Sequence, residues 1–426
     1  MSQSDSSRMF QPELEAMPVE ERAKTQLVRL QDLVGRLADG PNQFWNERLD
    51  GVSSGDVSEL GDLAELPFTT KSDLRDAYPF GLLAVPSEQT VRVHASSGTS
   101  GKPTIVAYTR DDVGVFSEVV ARSIACAGGR PDDVLHVAYG YGLFTGGLGL
   151  HFGAEQLGTT VVPASGGNTQ LQLQLLADLA ADGLACTPSF GMLLAERAAQ
   201  AGLEGLKVRY LICGAEPWSA GFREKLEAAW SELTGAPTVA RDIYGLSEII
   251  GPGVAQECVE APGAMHIFDD HFLPEIIDPD TGEVLPEGER GELVITTLTK
   301  QALPLIRYRT GDVTHLERGT CECGRTHPKI GRIVGRTDDM LIIRGVNVFP
   351  RAIESTIMEE PDLNGAYAIV IDRRPTLPKL DIYVEVADHL DPEPELEHRL
   401  HDELSSRLRL NAEVHVEPAN TLPRTE

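Results

Sequence analysis

The stretch His94-Ala95-Ser96-Ser97-Gly98-Thr99-Ser100-Gly101-Lys102-Pro103-Thr104 carries more information than any other in the chain. It follows a short apolar run, residues 91–93, that reads as a strand. Its glycines permit positive φ and close backbone approach, so successive amide N–H groups and neighbouring hydroxyls can face an anion such as a triphosphate. The spacing is not that of a Walker A loop, which has four residues between its glycines and a Ser or Thr after the lysine. Here two intervene and Pro103 follows Lys102. Proline there also disfavours a helix beginning at Lys102. Taken without its neighbours, the stretch reads equally well as a flexible surface turn.

Outward from this loop, strand-like and helix-like segments alternate. Apolar runs at residues 134–139, 160–163 and 210–213 read as strands and residues 111–127, 170–182 and 220–233 as helices, which predicts α/β layers. Upstream, residues 18–38 repeat Leu27, Leu30, Leu33, Val34 and Leu37 at helical spacing, predicting an amphipathic helix on the domain surface. After Val254, Asp278-Pro279-Asp280-Thr281-Gly282 and Pro286-Glu287-Gly288 punctuate β-like runs, predicting a β-rich subdomain. The last ninety or so residues read βαββαβ: residues 340–348 as a strand or strand pair, 350–360 as a helix, 366–371 and 381–386 as strands, a helix with Leu396, Leu400, Leu404 and Leu408 four apart, and 413–417 as a strand. That order is the signature of a small ferredoxin-like α+β domain. The boundary is placed at Gly335, giving a large α/β domain over residues 1–334, β-rich from about 255 to 334, and a small domain over 335–426.

Composition narrows the function classes. Basic side chains number 37 against 65 acidic, a net charge of −28, so nucleic acid is excluded as a main partner: phosphate-backbone binding needs a dense basic face. The small domain, with ten basic and nineteen acidic residues, has no positive excess either. Residues 134–154 are free of charge, but six glycines, two histidines and two tyrosines make them a buried loop-and-strand segment rather than a membrane span. The N-terminus has no apolar run of a secretory signal, and six scattered cysteines are not a disulfide framework, so the expected compartment is the cytoplasm, with no membrane partner.

Further landmarks follow the loop in fixed order: Tyr244-Gly245-Leu246-Ser247-Glu248, then Tyr308-Arg309-Thr310-Gly311-Asp312, then Gly335-Arg336-Thr337-Asp338-Asp339. With Ser96-Ser97-Gly98-Thr99-Ser100-Gly101-Lys102-Pro103 they resemble the motifs of the adenylate-forming superfamily of acyl- and aryl-CoA synthetases. Within it, Ala138-Tyr139-Gly140-Tyr141-Gly142-Leu143-Phe144-Thr145-Gly146-Gly147 and Arg344-Gly345-Val346-Asn347-Val348-Phe349-Pro350 look specifically like phenylacetate-CoA ligases. The resemblance implies an adenylate-forming N-terminal domain and a mobile C-terminal domain with the active site between them. It also implies ATP, Mg2+ and CoA as cofactors, and activation of an aryl acid to its acyl-adenylate before thioester formation.

The roles it implies fit the chemistry. Transfer of AMP to a carboxylate holds negative charge during an in-line displacement, so catalysis is positioning and electrostatics with magnesium bridging oxygens. Glu248, assisted by Thr99, is the implied magnesium ligand. Ser96, Ser97, Gly98, Thr99, Ser100, Gly101 and Lys102 face the phosphates, with Lys102 mobile among them. Gly214, Ala215, Glu216, Asp242, Tyr244 and Gly245 line the nucleotide, and Asp312 accepts the ribose hydroxyls. Arg309 and Arg336 supply fixed positive charge, and Asp338 is the hinge. Outside the motif context, Asp312 reads as a turn residue, Asp338 as a solvated one and Tyr244 as a core aromatic.

Tyr139, Tyr141, Phe144 and Gly146 offer flat walls and space for an aryl ring; their plain alternative is core packing. Phenylacetate is the implied substrate, with amino- or hydroxybenzoates as close competitors. Two rivals stand beside CoA ligation: loading of a carrier protein's thiol, and a degenerate nucleotide-binding homologue. A homodimer is the expectation the resemblance carries. It also implies a lysine a few residues after a Pro-Arg-Thr-Glu-like segment. Here Pro423-Arg424-Thr425-Glu426 ends the sequence, so either the chain is truncated or that lysine is lacking. A chain truly without it is expected to be crippled in adenylation while CoA attack on a supplied acyl-adenylate survives.

A separate constellation, Cys258, His266, Cys321 and Cys323, has the donor types of a tetrahedral structural zinc site, and Gly324 stands where a metal knuckle wants a glycine. His271, His315 and His327 are substitutes for His266, and the alternative is a group of reduced thiols in a turn.

Overall fold

The computed structural model describes residues 9–96, 103–216, 218–337, 341–343, 346–348, 350–372, 379–387, 389–408 and 412–422. Two compact units emerge. The first comprises Met1–Glu216, Leu226–Thr310 and Thr314–Arg332; the second comprises Pro217–Lys225, Gly311–Val313 and Ile333–Glu426.

In the first unit the short helix α1 (Pro12–Glu15) precedes α2 (Val19–Ala38), which buries Leu30, Leu33, Val34 and Leu37. The same face also buries Arg22 and Gln26, which the apolar pattern does not foresee. Strands β1 (Thr90–Ser96) and β2 (Thr104–Thr109) form an antiparallel ribbon around the Gly/Ser loop. The central sheet is built on β3 (Val134–Val137), β4 (Thr160–Val162), β5 (Gly183–Cys186), β6 (Tyr210–Cys213), β7 (Val239–Leu246), β8 (Gly251–Glu257) and β9 (Ala264–Ile267). Their pairing is parallel from β4 through β3, β5 and β6 to β7, then antiparallel through β8 and β9. Strands β5 and β6 are buried along their whole length, as parallel strands covered on both faces must be.

The β-rich stretch continues with β10 (Phe272–Ile277), β11 (Gly291–Thr297), β12 (Tyr308–Thr314), β13 (Leu316–Glu317) and β14 (Lys329–Gly331). Strands β13 and β14 extend the central sheet beyond β9, while β10 pairs antiparallel with β11. Gly282 and Gly288, at the two sequence-predicted turns, take φ of +76° and +85°.

Residues 134–154 are not loop and strand alone: beyond β3 and a loop they enter the helix Thr145–Leu157. Its glycines hide the helical pattern and also explain it. A Cβ on Gly149 would stand 2.5 Å from the Phe116 ring, and one on Gly153 2.4 Å from Val120, so this helix packs on Arg110–Cys126 at a distance only glycine permits. Among the described residues no helix is long and apolar enough to cross a membrane.

In the second unit, Asp312 and Val313 pair with Arg336 and Gly335 of β15 (Gly335–Arg336). A hairpin, β16 (Leu341–Ile343) and β17 (Val346–Val348), is followed by the helix Pro350–Glu359, β18 (Leu363–Asp372), β19 (Lys379–Val386), the helix Pro394–Leu408 and β20 (Glu413–Glu417). Strands β18 and β19 are antiparallel and β19 and β20 parallel. Leu396, Leu400, Leu404 and Leu408 form one buried stripe that packs with Ile353, Ile357, Leu380, Ile382, Val384 and Val414.

Candidate active site and cysteine cluster

The aromatic block at residues 139–147 lies just beyond the carboxyl end of β3, where open parallel sheets carry their ligand sites. Three sequence-predicted segments of the first unit meet on it. The Leu143 carbonyl accepts the Ala95 N–H at 2.9 Å and lies 3.0 Å from His94 Nδ1, tying the block to the end of β1. Thr145 Oγ1 is 3.3 Å from Ser247 Oγ, reaching the motif that ends in Glu248. Tyr139 Oη donates to the Cys186 carbonyl at 2.6 Å and accepts the Gly214 N–H at 2.9 Å.

That last arrangement gives the Tyr139 hydroxyl two backbone partners, while its ring stays 3.5 Å from where a Cβ on Gly146 would stand. The Tyr139 side chain is buried and its hydroxyl is engaged by the backbone after β5 and β6. Tyr139 therefore positions Gly214 and Ala215, the latter held at a φ of +68° that costs a residue with a side chain. Phe144 is 45% exposed, and its ring would stand 2.7 Å from a Cβ on Gly146, so this glycine keeps the space beside it open. Tyr141 is half-buried against His151, its Oη 3.3 Å from Nδ1; burial pushes its phenol up to about 12, so it remains a neutral hydrogen-bonding group.

Residues Ser97, Gly98, Thr99, Ser100, Gly101, Lys102 and Asp338 lie outside the described residues. Both ends of the Gly/Ser loop are described. Ser96 faces Thr104 across the β1–β2 ladder, and both hydroxyls are buried with no partner among the described residues. Buried polar groups seldom stay unsatisfied, so this pair at the loop's base fits a bound oxyanion.

Glu248 is 5% exposed, and its Oε1 lies 3.8 Å from Lys71 Nζ, a longer contact than a good ion pair makes. A buried carboxylate with no closer ion pair among the described residues fits a divalent cation. Beneath it Lys300, buried and absent from the sequence reading, donates to the Glu248 carbonyl at 2.7 Å and sits 5.2 Å over the Tyr108 ring. Burial pushes Lys300 down to about 8. No motif surrounds Lys300, so only the fold reveals it.

The nucleotide candidates are placed on strand ends. Asp242 and Tyr244 lie on β7; the Asp242 N–H donates to Glu257 at 2.9 Å, and Tyr244 is buried. A Cβ on Gly245 would stand 1.9 Å from the Gly251 carbonyl, so close approach of β8 requires glycine there. Glu216 Oε2 accepts the Ser189 N–H at 3.3 Å. Arg309 is bound to Glu292 and to the Pro279 carbonyl, so its charge is compensated within the first unit. In the second unit Arg336 Nη1 donates to Asp312 Oδ1 at 2.9 Å; both side chains are largely buried.

The cysteine cluster assembles in full. Cys258, His266, Cys321 and Cys323 bring one ligand atom each within 4.8 Å of one another, although 54 positions separate His266 from the nearer of the two later cysteines in sequence. Strand β9 carries His266, and its pairing with β14 returns the chain from the Cys321–Cys323 turn to it. Of the substitutes, His327 is 2.6 Å from Asp269 and His315 3.1 Å from Glu317, while His271 bonds Thr299.

The AMP-binding enzyme family matches residues 37–299, and the AMP-binding enzyme C-terminal domain matches residues 345–426. The phenylacetate-coenzyme A ligase of Thermus thermophilus is 49% identical across 98% of this chain and 97% of its own. The chain belongs to the phenylacetate-CoA ligase family. A second relative, the phenylacetate-coenzyme A ligase of Escherichia coli strain K12, is 48% identical over 88% of this chain and 86% of its own. Among solved structures, 2-hydroxyisobutyryl-CoA ligase in the postadenylation state, in complex with R3-HIB-AMP, superposes with a TM-score of 0.88 at 27% identity, covering 100% of this chain and 92% of that one. The ligase is thus an AMP-forming acid–thiol ligase, which makes an acyl-adenylate and then a CoA thioester.

Proposed function

We propose that the ligase converts phenylacetate, ATP and CoA into phenylacetyl-CoA, AMP and pyrophosphate in the cytoplasm. The observation that carries this reading is the 49% identity to a phenylacetate-coenzyme A ligase along 98% of the chain. In the first step a carboxylate oxygen of the acid attacks the α-phosphorus and pyrophosphate leaves. In the second the CoA thiol, losing its proton, attacks the acyl carbon and AMP leaves.

Glu248, with Thr99, would hold magnesium, which when bound neutralises charge on the phosphate oxygens. The Ser96 and Thr104 hydroxyls and the loop between them receive the phosphates. Gly214, Ala215, Glu216, Asp242, Tyr244 and Gly245 border the base, and Asp312, held by Arg336, accepts the ribose hydroxyls. Lys102 and Arg336 supply positive charge, while Arg309 acts by holding β12 against β11 through Glu292. Tyr139, through its ring, with Tyr141, Phe144 and Gly146 borders the aryl ring. A protein of charge −28 repels ATP and CoA at long range, so capture is local, through amides, hydroxyls and these few cations. Cys258, His266, Cys321 and Cys323 would hold a structural zinc.

The test is ATP–pyrophosphate exchange with a panel of aryl and aliphatic acids. Phenylacetate should support the fastest exchange, ahead of amino- and hydroxybenzoates. Exchange that is faster with a short aliphatic acid would reject the substrate assignment, and no exchange with any acid together with no thioester from supplied phenylacetyl-adenylate and CoA would reject the activity.

A further inference from the structure

The cysteine cluster has the dimensions of a metal centre. A tetrahedral zinc with Zn–S of about 2.3 Å and Zn–N of about 2.0 Å sets S···S edges near 3.8 Å and S···N edges near 3.5 Å. Cys258 Sγ and Cys321 Sγ are 3.8 Å apart, and Cys323 Sγ is 3.4 Å from His266 Nε2. The other imidazole nitrogen, Nδ1, is 3.3 Å from the His327 carbonyl, which fixes the proton there and turns the Nε2 lone pair toward the thiols. Gly324, at φ +86°, makes the knuckle: its N–H bonds the Cys321 carbonyl and the Cys321 N–H bonds the Arg325 carbonyl, each at 2.9 Å. All four residues are buried except Cys323, which is half-buried and gives a path for metal exchange.

The loop that leaves this knuckle does something else. Arg325 Nε donates to Glu15 Oε2 at 2.7 Å, an ion pair with both side chains fully buried. The Thr326 N–H bonds the Glu15 carbonyl at 3.1 Å, and its hydroxyl bonds the Met17 carbonyl at 2.6 Å. Arg22 of α2 donates to the Thr326 carbonyl at 2.8 Å. His327 pairs with Asp269, which also takes Gln26 of α2 at 2.7 Å. The polar groups that break the apolar face of α2 are therefore those that dock on residues 325–327 and on Asp269. A buried Arg–carboxylate pair is a weak source of net stability but demands exact placement, so something must hold Arg325 in register.

We propose that zinc bound by Cys258, His266, Cys321 and Cys323 is the clasp that sets the 321–327 loop and, through it, docks helices α1 and α2 on the first unit. The inference rests on the zinc reading and is independent of which acid the ligase activates. The metal ties three distant points of the chain, the end of β8, β9 and the knuckle, and the loop passes that order to the N-terminal helices.

The experiment is elemental analysis of the purified full chain, followed by hydrogen exchange read by mass spectrometry before and after chelation. About one zinc per chain is expected. Chelation should raise exchange over residues 12–38 at least tenfold while peptides from β5 and β6 keep their protection, and added zinc, but not magnesium, should restore it. Arg325→Met should retain the zinc yet show the same loosening of residues 12–38. Absence of zinc would overturn the metal reading and the clasp together. Zinc present with unchanged exchange over 12–38, or loss of protection everywhere at once, would overturn the clasp and leave the metal site standing.

Discussion

Replacing Tyr139 by phenylalanine separates two roles for the aromatic block. The ring stays, so packing against Gly146 and the neighbouring strands is kept, and only one oxygen is removed. That oxygen accepts the Gly214 N–H at 2.9 Å and donates to the Cys186 carbonyl at 2.6 Å, with Tyr139 itself only 7% exposed. Its loss leaves one donor and one acceptor buried, which costs about 1–3 kcal/mol. A Cβ on Gly214 would stand 2.7 Å from the Ile243 carbonyl, so the segment is packed too closely for a simple repair by backbone movement. The loss falls on Gly214 and Ala215, beside the base in the proposed site, so the KM for ATP should rise about threefold to tenfold, a cost of roughly 0.7–1.4 kcal/mol. The KM for phenylacetate should change less than about twofold, because no bond to the acid is removed. Steady-state kinetics with each substrate varied, and a urea midpoint for stability, measure both terms. A large rise in the KM for the acid, with ATP binding and the urea midpoint unchanged, would assign the hydroxyl to the acid and refute the positioning role.

Other substitutions probe the remaining parts. Glu248→Gln should slow ATP–pyrophosphate exchange by about 10²–10³-fold while leaving CoA attack on supplied phenylacetyl-adenylate within a few-fold; equal losses in both half-reactions would contradict its metal role. Gly153→Ala places a Cβ 2.4 Å from Val120 and should lower stability by about 1–3 kcal/mol, read as a lower thermal midpoint; an unchanged midpoint would mean that the two helices are not closely packed. Lys300 gives a pH signature. Its folded value, about 8, lies below its ordinary 10.5, so the unfolded chain binds the proton more tightly. Its unfavourable contribution is complete below pH 8 and is relieved as pH rises from 8 toward 10.5, by at most about 1.4 kcal/mol per pH unit. Measured against Lys300→Met across that window, the native protein should gain relative stability with rising pH; a flat or falling difference would contradict the burial of a charged lysine.

The sequence is most legible where chemistry restricts residue type. Three cysteines and a histidine have few joint explanations, and the four assemble despite their separation, because β9 and β14 pair. The leucine stripe of Pro394–Leu408 reads directly as a buried helix face. Legibility fails where a local rule is broken for a tertiary reason. Thr145–Leu157 lacks helix-forming composition because its glycines let a neighbouring helix approach. Arg22 and Gln26 interrupt the apolar face of α2 because Thr326 and Asp269 wait for them in the folded chain. The role of the Tyr139 hydroxyl is hidden in sequence, since only the folded chain brings Cys186 and Gly214 to it. Lys300 has no signature at all: its function is to hold a carbonyl 52 residues away.

Coupled adenylation and thioester formation on phenylacetate can be read directly from the products by mass spectrometry. The ligase with ATP, magnesium, phenylacetate and CoA should yield phenylacetyl-CoA, AMP and pyrophosphate in equal amounts, with phenylacetyl-adenylate accumulating when CoA is withheld. Formation of ADP and phosphate, or AMP release without any thioester when CoA is present, would contradict it.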